Sequence, residues 1–460
     1  MKTKITLLLA FFFIGLNLGF AQQDEECMTK LSIFHEYTKA KNYDAAFEPW
    51  MAVRNKCPKF NNAIYVDGEK ILNHKIKNAT GADKIGYIND LLKLWEQRGT
   101  HFASKTKKGE YAAKASQLMY DNRTELNKTD EELYNSFDGA YQADKNTFTN
   151  PKSLYTYFSL MVDLYDAGKK PAADLFNKYD DVVEKVEDEV KSFSEKLNKL
   201  VAKEDAGTDL TKKEGKYKKY YESYLKAYDQ ISGSIDGKLG NRANCENLIP
   251  LYRKDFEANR NNAIWLQRAA GKMSQKECTD DPLFFDLVNA YHNISPSANS
   301  AYYLGLLKDK DGDTNGAIKF FEQAIGLETD SFKKSKLYYR IATKLKSRGS
   351  YGKARSYYRK ALSLNPSNGR PHIAIAAMYA KSANSCGQSN FDKRATFWLA
   401  AAEARKASRV DPTLKKAAAQ SVANYNAKAP QKSEIFSSGR AGQTIKIGCW
   451  IGASVTVPSI

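Results

Sequence analysis

Histidine and proline are sparse, at five and twelve residues in a chain of 460. No two cysteines form a C-x-x-C pair, and no histidine clusters with a cysteine. The spacings of a structural zinc site and of a cysteine–histidine nucleophile are therefore both missing. So are paired catalytic acids, a glycine-rich loop that cradles phosphate and a serine–histidine motif. Nothing in the chain points to an enzyme or calls for a cofactor. After residue 21 no stretch is apolar enough to span a bilayer. Acidic residues are also in short supply: 71 Lys and Arg face 53 Asp and Glu, a formal charge of +18. The deficit is concentrated. Between Ser331 and Phe391 there is no Asp or Glu across 61 residues, which hold 13 Lys or Arg.

The chain opens with Lys2 and Lys4, an apolar run from Ile5 to Leu18, and Gly19-Phe20-Ala21 before Gln22. That order reads as a secretory signal over 1–21, cleaved on export. The run is short for a membrane anchor. Cys27 follows Glu25 and Glu26 rather than small residues, which argues against a lipoprotein. A periplasmic or secreted protein is expected.

Export gives the cysteines a purpose. Cys27, Cys57, Cys245, Cys278, Cys386 and Cys449 are even in number, and an oxidising compartment favours disulfides. Cys27 opens one predicted helix and Cys57 closes the returning one, so antiparallel packing brings them together. Cys245 and Cys278 bracket a second helix pair, over Glu246–Glu257 and Asn262–Ser274. Cys386 is left for Cys449.

Between Ser297 and Pro412 small residues recur at fixed places. Around Ala317 lie Leu304 and Gly305 upstream, and Phe321 and Ala324 downstream. Around Ala354 the same places hold Ile341, Ala342, Tyr358, Ala361 and Pro366. Around Ala400 the downstream places hold Ala404, Ala407 and Pro412. Two helices cross closely only where a side chain is small, and proline ends a helix because it lacks the N–H. The spacing resembles the tetratricopeptide repeat family, with its 34-residue helix–turn–helix unit. The resemblance implies an array of stacked helix pairs whose curved face binds another molecule.

Residues 28–60 look like a first repeat, with Ala46, Trp50 and Pro58 in the small, large and proline places. Predicted helices Ala63–Lys77, Asp83–Arg98, Glu110–Tyr120 and Asp130–Ala143 follow with poorer spacing. From Ala172 to Glu204 the period changes: Phe176, Tyr179, Val183, Val186, Val190, Phe193, Leu197 and Leu200 alternate three and four apart. That is a heptad seam. Tyr217, Tyr221, Tyr224, Tyr228 and Ile231 carry a matching stripe, so the two helices can zip antiparallel. The pair either belongs to the array or projects as an arm that contacts a partner. Gly237 to Ala243 reads as a flexible break. Thr444–Ile451 and Ser454–Val457 read as a β-hairpin around Gly452. Trp450 there would pack against the last repeat.

The expected architecture is all-α: a tetratricopeptide-type α-solenoid with a long antiparallel helical hairpin and a small C-terminal β-hairpin cap. Its parts are the signal (1–21), degenerate helical repeats (22–150), the long helices (151–240), the main repeat domain (241–430) and the cap (431–460).

Two candidate sites follow. Asp311, Asp313, Asn315 and Glu322 match a calcium-loop pattern. Such a loop needs residue 317 outside a helix, whereas the repeat register puts Ala317 inside one, and the repeat reading takes precedence. The second site is the basic tract. By the family register Tyr302, Lys336, Tyr339, Arg340, Thr343, Lys346 and Arg370 face the groove. They would receive a protein partner with acidic character, or an anionic glycan or lipid head group. Export argues against nucleic acid. The carboxylate-clamp branch of the family needs lysine and asparagine where this chain has Tyr302 and Leu306, so that activity is not implied. The expected function is a scaffold or adaptor for protein–protein interaction in envelope assembly or secretion; the alternative is a soluble glycan- or ligand-binding protein of SusD type.

Overall fold

Capping residues mark most helix starts. Thr129, Ser297 and Ser389 each accept the N–H three residues on and form capping boxes. Asp313 and Asp330 cap in the same way. Each such cap stabilises its helix by about 1 kcal/mol. The structure, a computed structural model, describes residues 25–459. The signal-like run over 1–21 lies outside them. The chain forms two units, Met1–Lys178 and Tyr179–Ile460.

In the first unit, helix 25–39 pairs with Tyr43–Lys56. Ala63–Asn78, Gly81–His101, Lys108–Asp121, Asp130–Ala143 and Pro151–Asp166 follow. Trp50 is the pivot of the first hairpins. Its ring lies over Gly68, where an added Cβ would come within 2.6 Å of it. Its Nε1 donates to the Ile64 carbonyl at 2.7 Å. Cys27 is joined to Cys57, with Cα atoms 6.5 Å apart. Further along, Lys178 Nζ lies 2.9 Å from Asp138 and 4.5 Å from the Tyr157 ring centre.

In the second unit, residues 179–205 of the long helix Ala172–Asp205 run antiparallel to Lys212–Leu239. The pairing converges toward the turn. The Tyr179 hydroxyl donates to Asp236 at 2.5 Å, Phe193 stacks on Tyr224 at 5.0 Å, and Lys203 meets Glu214 at 2.9 Å. Tyr179, Val186, Phe193 and Leu197 of the seam are buried. Val182, Ser194 and Val201, off that seam, are buried too. A helix with so wide a covered face packs on more than one side. Tyr217, expected in the stripe, is 46% exposed. The break expected over Gly237–Ala243 is corrected: Gly237 lies within the helix, and Gly240–Ala243 is a short 3-10 turn. A lone glycine costs a helix about 1 kcal/mol, which tertiary packing easily outweighs.

Cys245–Asn259 and Ala263–Gln275 form a helix pair closed by Cys245–Cys278, Cα atoms 5.5 Å apart. Pro282–Ile294 leads into the repeats. These pair Ala298–Lys310 with Thr314–Leu327, Ser331–Ser347 with Tyr351–Leu364, and Arg370–Lys381 with Asn390–Val410. Ala342, Ala354, Ala361, Ala376, Ala400 and Ala407 have no exposed surface. Gly305 is the tightest crossing: an added Cβ would lie 2.5 Å from the Phe321 ring. Lys415–Lys428 packs on Asn390–Val410.

Strands Thr444–Ile447 and Ala453–Thr456 pair antiparallel, Thr444 opposite Thr456. They are shorter than the expected β-rich runs, and residues 448–452 form the connecting turn. Trp450 lies between Tyr351 and Tyr379, at 5.4 and 5.5 Å, and donates to Ser382 Oγ at 3.0 Å. The hairpin is thus held by two repeats. Cys386 is joined to Cys449.

Candidate functional site

Side chains from five helices of the second unit surround a cleft of about 1150 Å³. Helix Ala298–Lys310 supplies Tyr302, Tyr303 and Leu306. Helix Ser331–Ser347 supplies Lys336, Tyr339, Arg340 and Thr343. Helix Ala263–Gln275 supplies Arg268 and Lys272, Pro282–Ile294 supplies Phe284, and the long helix supplies Tyr179, Asp180, Glu184 and Glu187. Helical spacing explains the second set: 336, 339, 340 and 343 fall on one face. Five of the seven groove residues expected from sequence meet here. Lys346 and Arg370 do not line the cleft.

The long helix reaches the repeats through ion pairs. Lys272 Nζ lies 2.7 Å from Asp180, with only 3% and 13% of the two side chains exposed. It also sits 3.3 Å from the Tyr179 ring centre. Burial disfavours both charges, pushing the Asp180 carboxyl up and the Lys272 ammonium down; their mutual attraction opposes this. Arg268 bridges Asp181 at 3.0 Å and Glu184 at 3.1 Å. Lys336 meets Glu187 at 2.6 Å. Farther along, Lys191 pairs with Asp330. Asn198 Oδ1 accepts from the Ser367 N–H at 2.8 Å. Arg370 bonds Asp229 at 2.9 Å, and Arg409 meets Asp205 at 3.1 Å. The alternative of a projecting arm is therefore corrected. The long pair lies along the repeats through these contacts, most of them its carboxylates against basic residues.

The basic tract is partly consumed inside the chain. Lys344 and Arg348 converge on Asp309, at 3.1 and 2.7 Å, a carboxylate only 6% exposed. The Arg355 guanidinium lies 5.3 Å from the Trp450 ring centre. Arg340 is different. Its guanidinium stacks 3.9 Å from the Tyr302 ring centre and 5.9 Å from that of Tyr303. Among the described residues no carboxylate stands within ion-pair distance of it.

The calcium-like stretch takes the repeat geometry. Asp313 Oδ1 accepts the Gly316 N–H at 2.8 Å, and the Ala317 N–H donates to the Asp313 carbonyl at 2.9 Å. Ala317 is inside helix Thr314–Leu327, and Asp311 ends the preceding helix. A calcium loop would need the residue-317 carbonyl turned to the ion.

Sequence reasoning missed Asp180, Asp181, Glu184 and Glu187 as contacts, along with Arg268 and Lys272. A signal was present. Those four acids lie on one face of a helix whose apolar seam is elsewhere, at spacings of one, three and three.

Stacked helix hairpins, crossing where Gly305, Ala342 and Ala376 are buried, give the chain a tetratricopeptide-type helical-repeat fold. No protein-family model matches the chain. Over 107 residues it is 31% identical to Photosystem I assembly protein Ycf3 of Cyanophora paradoxa, covering 21% of this chain. The chain spans 62% of the length of that curated relative. Among solved structures it is similar to MamA, at 20% identity and a TM-score of 0.27, over 40% of this chain and 97% of that one. It is also similar to a tetratricopeptide repeat protein from Parabacteroides merdae, at 12% identity and a TM-score of 0.24, over 69% and 97% of the two chains. The assignment rests on the crossing residues. No helix among the described residues is long and apolar enough to cross a membrane.

Proposed function

We propose that the chain is an exported scaffold that mediates protein–protein interaction in cell-envelope assembly or secretion. The observation that carries this reading is the repeat array itself, a series of stacked helix pairs with long accessible faces. Inside the chain those faces already recognise an acidic helix, through Arg268, Lys272 and Lys336. The same chemistry suits a protein partner with acidic character. Three joined cysteine pairs support a life in an oxidising compartment. The curated relative is by name an assembly protein, which supports a role in bringing other components together.

The test is crosslinking in intact cells, followed by capture of the tagged full-length chain from the envelope fraction. A stable protein partner is expected. Reversing the charge of Lys333 and Lys346, which line no part of the cleft, should weaken capture while leaving the fold intact. Failure to recover any partner, together with tight binding to a purified glycan, would overturn the reading.

A further inference from the structure

We propose that the cleft beside Arg340 binds a small molecule carrying one anionic group, a carboxylate or a phosphate ester, on a flat apolar body. This goes beyond the scaffold reading and does not depend on it.

Charge comes first. The other basic residues around the cleft have carboxylate partners: Arg268 with Asp181 and Glu184, Lys272 with Asp180, Lys336 with Glu187, Lys344 and Arg348 with Asp309. Lys310 at the rim has Asp280 at 2.7 Å. Arg340 alone among them has tyrosines and no carboxylate beside it, in the wall of the same cleft. Stacking on Tyr302 fixes the guanidinium plane; Tyr302 and Tyr303 also hydrogen-bond it, and the rest of its N–H donors are open to an acceptor. A carboxylate or phosphate is that acceptor. A cation without a counter-charge at a partly desolvated site gains most from an incoming anion.

Shape comes second. Ligand pockets usually measure about 300–1,000 Å³, and this cleft, at about 1150 Å³, is of that order. Tyr302, Tyr339, Phe284 and Leu306 supply apolar wall. A flat ring system would cover them while its acid reaches Arg340.

The wall decides between a small molecule and a peptide. An extended chain must run on along the repeats. Here Asp180, Glu184 and Glu187 of the long helix line the cleft and pair with Lys272, Arg268 and Lys336. The face an extended chain would follow is therefore already taken by the long helix.

The experiment titrates the full-length protein with three probes by calorimetry: 2-naphthoate, 2-naphthyl phosphate and the neutral 2-naphthamide. At least one anion should bind at least about tenfold more tightly than the amide, the difference expected of one charge-assisted contact. Preference for naphthoate assigns a carboxylic acid, and preference for the phosphate assigns a phosphate ester. Arg340→Gln should lose that tenfold preference, and Arg340→Lys should keep part of it. Lys319→Gln, outside the cleft, should bind as the parent does. If Arg340→Gln fails to fold, Thr343→Trp serves instead, because its ring fills the cleft and should block both anions. Equal binding of amide and anions would overturn the proposal. So would anion binding unchanged in a folded Arg340→Gln or Thr343→Trp, or no binding of either anion up to about 5 mM.

Discussion

Lys272 Nζ lies 2.7 Å from Asp180 Oδ1, and the two side chains are 3% and 13% exposed. This buried pair anchors the long helix on helix Ala263–Gln275. Removing one member leaves the other charged and buried, which costs about 3–5 kcal/mol, whereas an apolar replacement of both is often neutral. Lys272→Met should therefore destabilise the second unit strongly. Asp180→Leu combined with Lys272→Met should recover most of the loss. Urea unfolding of the parent and the two variants reads this directly. Hydrogen exchange across 180–204 should rise in the single variant and return in the double. Equal losses in single and double variants would show that the pair does not hold the helix. The outer pair Lys336–Glu187 is 43% and 56% exposed, and breaking it should cost only a few tenths of a kcal/mol.

Gly305 gives a sharper test of the repeat packing. A Cβ there would come within 2.5 Å of the Phe321 ring and 3.3 Å of the Ala317 carbonyl. The ring belongs to the facing helix and the carbonyl is backbone, so neither yields easily. Gly305→Val should overpack the crossing and cost about 1–3 kcal/mol. Gly326, with open space around it, is the control. Gly326→Ala should be neutral or slightly stabilising, since alanine favours helix by about 1 kcal/mol. Thermal unfolding measures both.

The repeats were legible because their constraint is local and steric. Ala317, Ala354 and Ala400 must be small where two helices cross, and the same small residues recur at the same interval along the chain. The seam of the long pair was legible for a similar reason: Tyr179, Val186 and Phe193 recur every seven residues, with Leu197 four further on. The docking of that pair was not. It is made by Asp180, Glu184 and Glu187 meeting Lys272, Arg268 and Lys336. Each face alone reads as solvated charge, and periodicity cannot show two polar faces meeting. Tyr302, Lys336, Tyr339, Arg340 and Thr343, which share the groove register, line one cleft. Arg370 shared that register but turns to Asp229.

The third disulfide fastens the tail. Cys386 and Cys449 are separated by 63 residues, more than the 30 and 33 of the other two. Cross-linking restricts the unfolded chain more for a longer loop, by about 2–4 kcal/mol per bridge. Cys386→Ser with Cys449→Ser should loosen residues 440–459 first. Trp450 would still hold Tyr351 and Tyr379 by ring contact. Adding Trp450→Ala should release the strands, seen as fast exchange at 444–456 with the repeats unaffected. Mass analysis of the untreated protein should show six cysteines unreactive to alkylation. Six alkylated thiols would remove the argument.

Glu403 sets an acid limit on the last repeat. Its Oε2 lies 2.8 Å from His372 Nδ1, and its Oε1 2.8 Å from Lys406 Nζ. Burial pushes the Glu403 carboxyl up, but the hydrogen bonds from His372 and Lys406 outweigh it and hold the group below its usual 4.5. A carboxyl whose folded value is lowered contributes stability above its unfolded value and loses it as pH falls through the folded one. Glu403→Gln keeps the size and removes the charge. It should cost about 1.5–3 kcal/mol at pH 7, the range for hydrogen bonds to a charged group. As pH falls through the lowered folded value the gap should close, because the parent is then protonated too. Urea midpoints of parent and variant from neutral pH down through the acid side of that titration check this. A gap that stayed constant across that range would assign the loss to packing instead of charge.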